Sequence, residues 1–115
     1  MFNFEKLAVW QKAILFAGLV CRVTRPFPAD ERFGLTDQIR RAANSISSNI
    51  AEGSARPPAD SVKFLGYAAG SPYEVVTPAT IGRNEGFLPP ADYEHLYRDA
   101  EEISRMLSGL RNSLE

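Results

Sequence analysis

Between Leu96 and Leu114 the apolar residues recur at alternating intervals of four and three: Leu96, Ala100, Ile103, Leu107, Leu110 and Leu114. An α-helix turns once in about 3.6 residues, so this spacing draws one unbroken apolar seam down one side of a helix. Such a seam is unstable in water and calls for partner helices of similar length. Three other segments also carry helical spacing. No segment alternates with the period of two that a half-buried strand requires.

The first segment runs from about Lys6 to Arg25, with Leu7, Trp10, Ile14, Ala17 and Cys21 in one stripe, and stops at Pro26-Phe27-Pro28. The second runs from Gly34 to Ala55, with Leu35, Ile39, Ala42, Ala43, Ile46, Ile50 and Gly53 on one face, and closes at Arg56-Pro57-Pro58. The third starts near Ala59 and keeps Val62, Leu65, Ala69, Tyr73, Val76 and Thr80 in register to a glycine stop at Glu85-Gly86. It contains Pro72 and Pro78, each of which removes a helical hydrogen bond. Ser71-Pro72-Tyr73-Glu74 also reads as a local restart, with serine as cap and proline in the first turn. The fourth begins at Pro90, and Arg98–Glu102 and Glu101–Arg105 stand at i,i+4 spacing on its solvent side. Short connections favour antiparallel neighbours. The expected fold is all-α: an antiparallel up-down four-helix bundle, one domain over residues 1–115, with helix 3 bent at Pro72 and Pro78.

The chain has 115 residues and a net charge of −1, which argues against a strongly electrostatic nucleic-acid or membrane binder. The charge is uneven. Residues 1–56 hold eight basic and five acidic side chains, and residues 57–115 hold five and nine. A basic surface on the N-terminal half therefore remains available. Cys21 is the only cysteine, so no intrachain disulfide forms, in keeping with a reducing compartment. No basic-then-apolar leader opens the sequence, and no run reaches about 18 apolar residues. A cytoplasmic location without membrane association is expected.

Helix 1 argues for assembly. Opposite its stripe it carries Val9, Phe16, Leu19, Val20 and Val23, with only Lys12 and Arg22 charged between residues 12 and 22. A helix apolar nearly all round must be buried on more than one side. These five residues are the expected subunit interface of a homo-oligomer. The alternative is a loop or the bent third helix folding over them.

On a helical wheel of about 100° per residue, Gln38, Ser45, Asn49, Glu52 and Arg56 line one flank of helix 2, with Arg41 just beyond. Two readings compete: a polar groove for a ligand or an RNA backbone, and a hydrogen-bonded seam against a neighbouring helix or subunit. The subunit seam is favoured, because a polar residue at a core edge can fix register. Arg40 and Arg41 are candidate RNA contacts, although adjacent residues on a helix point about 100° apart. One exposed arginine and one in an interface salt bridge is the plainer expectation.

Little else suggests chemistry. His95, the only histidine, stands beside Glu94 on a charged face, and no Glu-x-x-His pair supplies a bundle metal site. Cys21 lies on an apolar stripe without an activating partner, and Phe2, Phe4, Trp10, Phe16 and Phe64 read as packing residues. Neither a phosphate loop nor a serine nucleophile elbow is present. No catalytic residue, no metal and no cofactor is expected.

Leu7-Ala8-Val9-Trp10-Gln11-Lys12-Ala13 resembles the opening of a bacterial family. So does Gly34-Leu35-Thr36-Asp37-Gln38-Ile39-Arg40-Arg41-Ala42-Ala43, continuing through Ser48-Asn49-Ile50-Ala51-Glu52-Gly53. Gly86-Phe87-Leu88 and the stretch Ile103-Ser104-Arg105-Met106-Leu107-Ser108-Gly109-Leu110 resemble its closing segments. The family is the four helix bundle proteins, also called 23S rRNA intervening-sequence proteins. The resemblance implies a small antiparallel bundle assembled as a ring, typically a homopentamer, without catalytic activity. It also implies, for a basic branch, an RNA-binding accessory role beside reverse transcriptases. The chain departs from the pattern at Ser47, where many members carry proline, and at Pro72 and Pro78, where members carry ordinary helix formers.

Overall fold

The computed structural model describes all 115 residues. Four α-helices account for nearly the whole chain: α1 Ala8–Thr24, α2 Leu35–Ser54, α3 Pro58–Asn84 and α4 Pro90–Leu114. Two single 3-10 turns, Asn3–Lys6 and Ala29–Glu31, precede α1 and α2. The helices close on each other in chain order, α1 on α2, α2 on α3, α3 on α4 and α4 on α1. No contact joins α1 to α3, so these two lie diagonally across the bundle. The bundle measures 43 × 22 × 22 Å.

The helix ends follow local chemistry. Proline opens both α3 and α4, where its missing N–H costs nothing and its fixed φ suits a first turn. Glu31 accepts a hydrogen bond from the Leu35 N–H at 3.1 Å and so caps α2 with its side chain. At the end of α3, Gly86 takes a φ of +81°. The Phe87 N–H then reaches the Gly82 carbonyl at 2.8 Å, and the Gly86 N–H reaches Arg83 at 3.1 Å. This paired closure turns the chain towards α4, as the glycine stop predicted.

Pro72 and Pro78 do not break α3, which runs unbroken through both. Serine 71 does not restart the helix. Both proline rings are buried, so the apolar surface they add offsets part of the lost hydrogen bonding. Beside each proline a hydroxyl folds back onto the preceding turn. Ser71 Oγ donates to the Tyr67 carbonyl at 3.3 Å, and Thr77 Oγ1 to the Tyr73 carbonyl at 2.9 Å.

The core is one cluster of 22 buried residues drawn mainly from all four helices. In α2 and α4 it takes the expected faces: Ile39, Ala42, Ala43, Ile46 and Ile50 from the one, Leu96, Ala100, Ile103 and Leu107 from the other. Helix α1 reverses the expectation. Val9, Phe16, Leu19, Val20 and Val23 are buried inside the chain's own core, so they are not a subunit interface. Ile14, from the stripe expected to be core, is 44% exposed, while Leu7, Trp10, Ala17 and Cys21 are only partly buried. Both arcs of α1 are apolar, so periodicity could not choose between them. Packing against α2 on one side and α4 on the other selects the arc with Phe16 at its centre. Lys12, beside that arc, then reaches α4, with Nζ 2.8 Å from Glu102 and 3.4 Å from Asp99.

Helix α3 is rotated from its expected face in the same way. It buries Leu65, Ala68, Pro72, Val75 and Ala79 and leaves Tyr73 70% exposed. The expected α4 pairs are also redistributed: Arg98 Nε lies 3.9 Å from the Glu94 carboxylate, and Glu102 turns to Lys12.

The Lys12–Glu102 contact has a pH signature. The hydrogen bond to Glu102 holds the Lys12 ammonium above the usual lysine range, and burial opposes it. The same bond holds the Glu102 carboxyl below the usual carboxylate range. A lowered carboxyl stabilises the fold above its unfolded pKa and loses that contribution as pH falls through the folded value. A raised ammonium does the reverse at high pH. The difference in thermal midpoint between wild type and Lys12→Met is therefore expected to be widest between the two ranges. It should narrow at both acid and alkaline extremes in a pH series of melts.

Candidate functional site

The polar flank of α2 divides into three parts. Its middle is a seam inside the chain. Asn49 Nδ2 donates to the Ser45 carbonyl at 2.8 Å, and the Ser45 and Ser71 hydroxyls hydrogen-bond each other across to α3. Ser71 is buried, so this thread satisfies polar groups that would otherwise be costly. Ser45 thus finds its partner on α3 of the same chain, and Asn49 bonds back to Ser45 within α2. At the C-terminal end Glu52 pairs with Arg56, whose guanidinium lies 5.0 Å above the Phe64 ring. Both are exposed.

The N-terminal part of the flank is open. Gln38, Arg41 and Ser45 from α2 face Tyr73, Glu74 and Thr77 from α3 across a groove of about 670 Å³. Arg41 is held at its rim by Asp37, with Nε 3.0 Å from the carboxylate. On the far side of Tyr73 a second groove of about 320 Å³ lies between α3 and α4, with Tyr97, Glu101 and Arg105 along it. Tyr73 is the ridge between the two. These walls offer hydrogen bonds, one cation and one anion each, and aromatic surface, a set suited to holding another polypeptide surface.

Arg40 and Arg41 separate, as their spacing implies. Arg40 Nε donates to Thr24 Oγ1 at 2.9 Å and its Nη2 to the Cys21 carbonyl at 3.4 Å, closing the C-terminus of α1. Arg41 points to solvent beside Asp37. The two do not form one site. His95 lies on the exposed side of α4, 3.4 Å from Asp99.

Apart from Met1 and Phe2 at the N-terminus, Phe33 in the α1–α2 turn, and Tyr97 and Leu114 on α4, the large exposed apolar residues lie on α1 and α3. On α1, Ile14 and Leu15 are 44% and 73% exposed. On α3, Tyr67, Tyr73 and Ile81 are 51%, 70% and 47% exposed. The periodic pattern missed the second. The available signal was charge: from Phe64 to Gly82 the only charged residue is Glu74.

A closed ring of four long helices with open grooves along its α3 seams places the chain among the small all-α four-helix-bundle proteins. It belongs to the 23S rRNA-intervening sequence protein family, whose sequence model matches residues 5–109. Its fold is similar to the crystal structure of a protein from the S23 ribosomal protein family of Bacteroides thetaiotaomicron VPI-5482, described as having unknown function. The TM-score is 0.82 and the identity 23%, over 90% of this chain and 97% of that one. No curated protein matches the sequence. No helix is long and apolar enough to cross a membrane.

Proposed function

We propose that the chain is a non-catalytic building block that works as a homo-oligomeric ring, serving a structural or adaptor role. One observation carries this reading: α1 and α3, the diagonal pair, each carry an exposed apolar patch. A single apolar face would favour a two-fold dimer. Two different faces on opposite sides let each copy meet two neighbours head to tail, and such contacts close into rings when the rotation permits. The count of five follows the family resemblance.

Light scattering tests it. Wild type should have a mass several times its 12.7 kDa chain mass. Leu15→Glu and Tyr73→Glu should each give monomers of unchanged helicity. Mixed together, they should form a heterodimer, because one copy keeps an intact α3 face and the other an intact α1 face. A monomeric wild type overturns the proposal. So does a Leu15→Glu variant that still assembles fully.

An RNA accessory role through Arg40 and Arg41 has weaker support, since Arg40 is committed to the end of α1 and Arg41 to Asp37.

A further inference from the structure

The turn between α1 and α2 frames an open cavity of about 320 Å³, apart from both α3 grooves. Its polar lining is Arg25, Arg32, Arg40, Thr24 and Thr36. No carboxylate lines it. None of the three arginines has an acidic partner within 4.0 Å. The nearby acids are engaged elsewhere: Glu31 caps the Leu35 N–H, and Asp37 holds Arg41. Asp30 is exposed on the turn and does not line the cavity.

The cavity also meets the start of α2, a 20-residue helix. Of its first N–H groups, Leu35 is capped by Glu31 and Gln38 bonds to the Gly34 carbonyl at 3.0 Å. The N–H groups of Thr36 and Asp37 have no acceptor in the chain. They stand where the helix dipole is most positive. Thr36 supplies the independent sign of a ligand. Its side chain is only 8% exposed and lines the cavity, yet its hydroxyl makes no hydrogen bond within the chain. The hydroxyl opens onto the cavity, so its donor and acceptor sites are free for a guest. Arg40 is preset for such a guest. Thr24 and the Cys21 carbonyl hold one edge of its guanidinium and leave the remaining N–H groups free.

We propose that this cavity binds a phosphate group, free or carried as an ester. Three guanidiniums, one hydroxyl and helix-terminal amides outnumber what a planar carboxylate can accept. They match the several acceptor oxygens and greater charge of a phosphate dianion. The site shares no residue with the proposed assembly faces, so a monomeric Leu15→Glu variant should retain it even if the ring reading fails.

Calorimetric titration of the full chain with inorganic phosphate at low ionic strength tests the site, with chloride and acetate as comparators. Phosphate should bind and the comparators should not. The double variant Arg25→Gln with Arg32→Gln should weaken phosphate binding roughly tenfold or more, and the fold should persist, since neither side chain makes a hydrogen bond or ion pair within the chain. Thr36→Val should weaken it roughly threefold without lowering the melting temperature, because no native hydrogen bond is lost. Arg41→Gln should leave it unchanged. Equal affinity for phosphate and for 5′-adenosine monophosphate would assign free phosphate, and tighter binding of the mononucleotide an ester. Binding of chloride as strong as phosphate overturns the proposal, as does wild-type affinity in the double arginine variant. It also falls if only an oligoribonucleotide binds and that affinity drops steeply with salt.

Discussion

Phe16→Ala is expected to cost about 3–5 kcal/mol of folding stability, read as a fall in the urea midpoint followed by far-ultraviolet circular dichroism. Phe16 is 1% exposed and sits at the centre of the buried arc of α1. Its removal takes away apolar surface and leaves a cavity that α2 and α4 cannot both move to fill. A domain of this size has only about 5–15 kcal/mol in total, so this single change removes a large share. Phe16→Glu should be worse, because it buries an unpaired charge. The neighbouring Leu15→Ala should change the stability of the single chain by about 0.5 kcal/mol or less, since Leu15 is 73% exposed. If Phe16→Ala proved as mild as Leu15→Ala, the rotation of α1 described above would be wrong.

The second large effect is expected at Gly53, where the last turn of α2 meets the first turn of α3. A Cβ placed there would stand 3.0 Å from the Cβ of Phe64 and 3.4 Å from the Ser61 carbonyl oxygen. The Phe64 Cβ is anchored directly to its backbone, so the helices themselves must part. Gly53→Val is expected to cost about 1–3 kcal/mol through overpacking. The opposite sign is expected at Gly70, in the exposed part of α3. No atom lies within 4 Å of a Cβ there, so Gly70→Ala should gain about 0.5–1 kcal/mol of helix stability in the monomeric Leu15→Glu background. Thermal or urea unfolding of the two variants in parallel checks both signs. A stabilising Gly53→Val would show that α2 and α3 do not approach closely at this point.

Helix α2 shows what a one-dimensional pattern can carry. Its apolar and polar positions contrast strongly, so one face was marked for burial and the structure buries it, with only Leu35 left partly exposed. The flank residues Gln38, Ser45, Asn49, Glu52 and Arg56 were likewise legible as a group. Their partner was not. Ser45 meets Ser71, 26 residues away, and nothing at either position announces the other. Helix α1 failed for the contrary reason. With Ile14 and Leu15 outside and Val9 and Phe16 inside, both arcs look alike, and only contact with α2 and α4 tells them apart. The proposed phosphate site was illegible for a third reason. Its arginines are spread over residues 25 to 40, and its decisive feature is a threonine whose burial no pattern foretells.

Sequence alone determined that the chain makes four helices, where they begin and end, and that they close into an antiparallel bundle. Those outcomes depend on local terms: the 3.6-residue period, prolines that start helices, and a glycine that stops one. Tertiary structure decided how far each helix is rotated about its own axis. Rotation depends on which neighbours fill which gaps, and a helix apolar on two sides has no local preference between them. That rotation put Phe16 in the core and Leu15 outside, turned Tyr73 to solvent, and brought Arg25, Arg32 and Arg40 around Thr36.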